Sequence, residues 1–159
     1  MVATVTAIKD RLAEIQEQIT GVNRAYANGP KSLPGTDLPI FVNFTGPANT
    51  DLTGMGSGSG EEARTILMRL YVSAAQQGID GEAEARCEPF FERVRDKLAA
   101  RPSLGLALED SGPMAGIMRA SFLGDNGVVV MRYAGQDYIG IEFRIQIEAI
   151  FEVTYDDYE

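Results

Sequence analysis

The chain has 159 residues, a net charge of −9, no His, no Trp and a single Cys, Cys87. That length suits one domain whose core is large enough to fold without staples, and one Cys excludes an internal disulfide. The absence of His excludes a Ser-His-Asp or Cys-His nucleophile and any His-containing zinc site, and the acidic balance opposes a nucleic-acid-binding surface, which needs clustered Lys and Arg.

The first predicted element is a helix. Val5, Ile8, Leu12, Ile15 and Ile19 fall on one stripe, Thr4 or Thr6 caps the start, and Gly21 sits where a stop belongs. Residues 21–37 read as a loop with Asn28-Gly29-Pro30 and Pro34-Gly35 turns. Residues 38–44 read as a strand, with Pro39 marking an edge or a first residue. The Gly- and Ser-rich stretch 45–62 reads as a long loop, and it lacks the Lys and the strand-helix context of a phosphate-binding loop. Residues 64–72 form a second strand, apolar on both faces and therefore central, and it makes a hairpin with 38–44.

Asp80-Gly81 opens a second helix running to about Ala100, with Ala83, Cys87, Phe90, Phe91, Val94 and Leu98 on its apolar side. Pro89 predicts a kink or break near 85–89, and Pro102 ends the helix. Arg93, Arg95, Lys97 and Arg101 alternate with Glu92 and Asp96, a solvated face. Cys87 reads as core filling. Gly116–Leu123 and Val128–Tyr133 read as two strands around a tight turn at Gly124-Asp125-Asn126-Gly127, followed by a second turn at 134–137. From Ile139 to Val153 apolar residues alternate with Glu142, Arg144, Gln146, Glu148 and Glu152, one long strand with a dry and a wet face. The chain ends in an acidic, aromatic tail over 154–159. The predicted fold class is α+β: a mostly antiparallel sheet of about five strands, with two main helices on one face and a long glycine-rich hairpin loop.

No convergent catalytic set emerges. Glu61-Glu62 and Asp156-Asp157 lack an apolar setting that would separate their pKa values. Asp125-Asn126 is explained by turn geometry. Asp37, Asp51 and Glu61 lack the spacing of a calcium loop. No catalytic residue, cofactor or metal is expected. No apolar stretch is long enough to span a membrane, and the N-terminus lacks the order of a signal peptide. A protein kept in the cytosol is expected, unless something larger carries it out.

In layout the chain resembles the tail-terminator (tail-completion) proteins of long-tailed bacteriophages. The resemblance rests on a series of segments in order. They are an opening amphipathic helix (Ala7–Ile15), the proline-led strand Leu38–Val42 and a glycine-rich hairpin tip. The arginine-bearing strand Arg64–Val72 follows, then the helix Glu92–Leu98 closed by Ala100-Arg101-Pro102-Ser103-Leu104, and the tyrosine-glycine strand Tyr138–Phe143.

The resemblance implies a single domain over 1–159, a non-enzymatic structural subunit of a virion. Such subunits form a homo-oligomeric ring, expected to be a hexamer, at the head-proximal end of the tail. The ring caps the tail tube protein, stops its polymerisation and joins the head-tail connector or stopper protein. DNA passes through without specific binding, assembly takes place in the host cytoplasm, and no membrane takes part. A mobile loop over 45–62 ordered by neighbours follows from the same implication.

The subunit or partner interface is then expected to draw on Asp51, Leu52, Met55, Glu61, Glu62 and Arg64 around the glycine loop. It adds Arg69, Arg119, Arg132, Glu142 and Arg144 on the strands, and Tyr155, Asp156, Asp157 and Tyr158 in the tail. The competing readings are another ring-forming neck, connector or tail-tube-like subunit, and a small α+β ligand-binding domain or enzyme.

Overall fold

The computed structural model describes residues 4–52, 58–75, 79–102, 104 and 116–152. In chain order they form α1 (Val5–Glu17), β1 (Arg24–Tyr26), β2 (Ile40–Asp51), β3 (Ser59–Ala74), α2 (Gly81–Ala99), β4 (Ile117–Tyr133) and β5 (Gln136–Glu152). A short 3-10 turn at Gly35–Asp37 precedes β2. The strands make one open sheet in the order β1-β2-β3-β5-β4, with β1 parallel to β2 and every other pair antiparallel. The fold is α+β, as the element order predicts.

Both helices pack on one face of this sheet. The Thr4 hydroxyl accepts a hydrogen bond from the Ala7 N–H (3.1 Å), satisfying a donor that the first turn of α1 leaves open. The apolar stripe then buries Ile8, Leu12 and Ile15. The helix stops at Glu17, ahead of Ile19, yet Ile19 stays in the core because the following turn folds back on the sheet. Buried Gln16 exchanges two hydrogen bonds with Asn43 on β2 (2.7 and 2.8 Å), and Asn43 also donates to the Tyr26 carbonyl. One polar cluster thus ties α1, β2 and β1 together with its groups satisfied.

In α2 the Asp80 carboxylate accepts from the Ala83 N–H (2.8 Å), and Ala83, Cys87, Phe90, Val94 and Leu98 face the sheet. Pro89 does not break this helix, contrary to expectation: α2 runs unbroken through it. Pro89 lies on the exposed side of the helix, where the carbonyl it deprives of a donor faces solvent.

Three further expectations are corrected. Within the predicted loop 21–37, Arg24–Tyr26 pairs in parallel with Ile40–Val42 and buries Ala25. The predicted turn at Gly124–Gly127 is no turn. β4 continues through it, with register shifts against β5 that absorb the extra residues as bulges. Gly124 and Gly127 supply the positive φ (110° and 77°) that this path needs, and the Asp125 side chain accepts from the Gly127 N–H (2.8 Å). Finally, most of the glycine-rich stretch is strand. β2 reaches Asp51, β3 starts at Ser59, and Asp51 stands opposite Glu61. Gly60 serves close packing there, since a Cβ at that position would lie 2.5 Å from the Phe151 ring.

The β4–β5 hairpin turns at Ala134-Gly135, with φ of 51° and 84°. Two successive positive φ values define a type I′ turn, which suits Asn-Gly far better than Ala-Gly. Ala134→Asn is therefore expected to stabilise the fold by about 0.5–1 kcal/mol. A rise in melting temperature with an unchanged denaturant slope would report it.

Among the described residues, the face opposite the helices is covered at one end only. Leu33, from the segment that leads into β2, packs there with Ile40, Val42, Tyr71, Met131 and Tyr138. The Tyr133 hydroxyl donates to the Pro30 carbonyl, and Tyr71 meets Tyr133 and Tyr138 edge-on at 5.5 and 5.6 Å. The other end carries the finish of β2, the starts of β3 and β4 and the finish of β5, and that segment does not reach it. We refer to it as the distal end.

Candidate functional site

The distal end gathers residues that lie far apart in the chain. Three antiparallel pairings bring them together. Asp51 faces Glu61, Glu62 faces Ala149, and Ile117 also faces Ala149 before a bulge sets Arg119 against Glu148. The Arg119 guanidinium meets the Glu148 carboxylate at 2.9 Å. Arg64 bonds Glu62 at 2.9 Å and reaches the Gly46 carbonyl at 3.0 Å, closing over the bulge between Thr45 and Ala48. Leu52, beside the hairpin tip, is 46% exposed, and Met118 and Ile150 are exposed on the same end of the sheet.

Two recesses lie here. On the helical face, Val5 and Ile8 of α1 overhang Ile66, Ile147, Ala149 and Phe151 to leave an apolar notch of about 100 Å³, with Glu62 and Arg64 at its rim. A larger cleft of about 300 Å³ runs beside Asn49, Asp51, Glu61, Ala63, Met118 and Glu148. Its lining mixes carboxylates, one amide and a threonine hydroxyl with a methionine, and Arg119 stands beside it through its bond to Glu148. Among the described residues no three His, Cys, Asp or Glu side chains are placed to hold a metal ion. Asp37, once grouped with Asp51 and Glu61, is paired with Arg24 (3.7 Å) near β1 instead.

Of the expected interface residues, the fold brings together Asp51, Leu52, Glu61, Glu62, Arg64 and Arg119. Arg69, Glu142 and Arg144 stand apart, midway along the uncovered face. There the Arg69 guanidinium lies 4.8 Å over the Phe44 ring and bonds Glu142 at 2.7 Å, while Asn126 donates to the second Glu142 oxygen (3.1 Å). Burial works against the Arg69 charge, but the Glu142 hydrogen bond and carboxylate outweigh it, so the guanidinium pKa rises above its usual value. This trio reads as a cross-strand brace. Arg144 is exposed in register between Leu67 and Gly124. Arg132 is at the opposite end, donating to the Gly135 carbonyl at the turn. Met55, Tyr155, Asp156, Asp157 and Tyr158 lie outside the described residues.

Sequence reasoning missed Val5, Ile8, Met118 and Ala149 as site-lining residues, and Ile150 as an exposed neighbour. Ile150 carried a signal, an apolar side chain on the otherwise wet face of an alternating strand. Val5 and Ile8 had none, since a helix stripe looks the same whether or not its first turn overhangs a recess.

Cys87 is fully buried, and burial pushes its thiol up to about 11 from the ordinary value, with Arg86 opposing and Glu84 reinforcing the shift. The thiolate is the reactive form. At pH 8 a thiol reagent is therefore expected to modify native protein about a hundredfold or more slowly than a free cysteine. Full reactivity should return in denaturant.

Compared with family models and with curated proteins, the chain matches no family model and no curated relative. Among the described residues no helix is long and apolar enough to cross a membrane.

Proposed function

We propose that this chain is a structural subunit that assembles with copies of itself into a ring of the tail-terminator type. On this reading the ring seats on the end of a phage tail tube, halts its growth and presents a surface to the head-side connector. Six copies are expected, and the genome passes through the hole.

The observation that carries the proposal is β4. Among the described residues it is an edge strand, 17 residues long. Three of the large exposed hydrophobic residues lie on it: Met118 (45%), Leu123 (48%) and Val130 (45%). A long apolar edge is a liability for a monomer, because its unpaired backbone groups invite another chain. In an assembly the same edge is an interface. The other edge is built differently: β1 is only three residues long, and beyond it β2 carries Pro47. The two edges therefore differ, which suits a heterologous contact, one patch meeting a different patch on the next copy. The net charge of −9 also suits a conduit, since carboxylates repel phosphate and let a duplex slide.

Sedimentation of the purified protein, alone and with tail tubes, tests the proposal together with electron microscopy. Single rings, or rings bound at tube ends, are the expected result. Open-ended filaments would instead favour a tail-tube-like subunit, and a monomer that ignores tubes at every concentration would refute the ring. Tight DNA binding that weakens steeply with salt would contradict the conduit.

A further inference from the structure

We propose that the uncovered sheet face around Arg144 docks against the outer face of α2 of a second copy of this chain. The inference rests on the ring reading and deepens it by naming the two surfaces that meet. Arg144 lies on β5, opposite Leu67 of β3 and Gly124 of β4, and is exposed. Among the described residues its guanidinium makes no hydrogen bond or ion pair. The other described arginines each hold one, to a carboxylate, a side-chain amide or a backbone carbonyl. The surroundings of Arg144 are half dry. Leu67 and its β2 partner Phe44 are only partly buried, and Leu123, in the bulge beside Gly124, is 48% exposed. A guanidinium with five N–H donors thus stands on a surface that gains from being covered.

The outer face of α2 offers the missing acceptors. Glu84, Glu88 and Glu92 are exposed and stand four residues apart, so they follow one ridge of the helix. Their carboxylates are unpaired among the described residues, whereas Glu82 is held by Arg86 and Asp96 by Arg95. Like charges at this spacing oppose the helix in the free subunit. Beside the ridge, Pro89 has no N–H to give the Ala85 carbonyl, which is left as a further acceptor on the exposed side. Ala85 and Pro89 are short, so a facing sheet can come close to the helix there.

The two surfaces are complementary in charge and different in structure. An unpartnered guanidinium meets a row of unpartnered carboxylates, and the sheet of one copy gains a second helical layer from the next. Each copy carries one surface of each kind, on opposite sides of its sheet. The contact is therefore heterologous and passes from copy to copy, as a ring requires. Pairing the helical faces with each other would instead set one carboxylate row against another.

A charge exchange tests the contact, read by sedimentation at low salt. Arg144→Glu and the double variant Glu88→Arg/Glu92→Arg are each expected to weaken self-association about tenfold or more. Melting should stay unchanged, because all three sites are exposed and unpaired. Mixed in equal amounts, the two variants are expected to assemble again, since each presents to the other the opposite charge. A folding defect in either variant would not be cured by mixing. If wild-type protein forms rings, and either the variants assemble like wild type or their mixture stays dispersed, this contact is refuted while the ring stands. If wild-type protein never self-associates, with or without tubes, the ring reading fails and this contact with it.

Discussion

Phe143→Ala is expected to destabilise the protein by about 3–5 kcal/mol, the range for emptying a phenylalanine site in a packed core. Phe143 is fully buried on β5, and its ring centroid lies 6.1 Å from Phe41 on β2, 6.3 Å from Phe91 on α2 and 6.0 Å from Phe122 on β4. No other side chain joins three elements through ring contacts in this way among the described residues. The three neighbours belong to separate backbone segments held by their own hydrogen bonds, so they cannot all close on the space left behind. Single domains are stable by only about 5–15 kcal/mol, which makes this loss a large share of the whole. Phe143→Leu keeps most of the volume and should cost clearly less. Urea titration checks both: the midpoint falls in the order wild type, Leu, Ala, with a common slope if the unfolded state is unchanged.

Gly140→Ala is expected to cost about 3 kcal/mol, although it adds one methyl group. Gly140 lies on β5 opposite Tyr71 on one side and Val129 on the other. A Cβ there would stand 1.9 Å from the Leu70 carbonyl oxygen, 3.0 Å from its carbon and 2.9 Å from the Met131 terminal methyl. The methionine tip can move aside, but the carbonyl is backbone of the central strand and belongs to the ladder. Relief needs a shift of β3 against β5 beside the register irregularity at Tyr71/Ser73. Overpacking of that kind costs about 1–3 kcal/mol, and a backbone obstacle puts this site at the upper end. For a domain of this size, thermal unfolding should show a fall of about 6–12 °C. The Tyr138-Ile139-Gly140 segment thus has a packing reason: Tyr138 fills the cluster under the covering segment, and Gly140 lets β3 approach.

The candidate interface was visible in the sequence only in outline. The glycine-rich hairpin marked Asp51, Leu52, Glu61, Glu62 and Arg64 as neighbours, because hairpin partners are close in the chain. Arg119 was named for its charge and its strand, yet nothing local says that it meets Glu148 and not Glu142. That choice follows from the bulge after Ile117, which advances β4 by one residue against β5. Arg132 and Arg144, picked on the same grounds, fall elsewhere for the same reason: register assigns each strand position its place along the sheet.

The sequence by itself determined the elements whose signals are local. The stripe and caps of α1 and α2, the central character of β3, the long alternation of β5 and the hairpin from β2 to β3 can all be read within a window of a few turns. The tertiary structure alone decided three things. It made Arg24–Tyr26 a strand, because β2 stands ready as a parallel partner once α1 is packed. It carried β4 through Gly124-Asp125-Asn126-Gly127, because β5 offers a continuous ladder on both sides and the bulges cost less than abandoning half of it. Among the described residues it also left one end of the face opposite the helices uncovered, where the ends of β2 and β5 and the start of β4 meet. Each of these outcomes depends on pairing between segments distant in the chain, and side-chain periodicity within one segment holds no information about its partner's register.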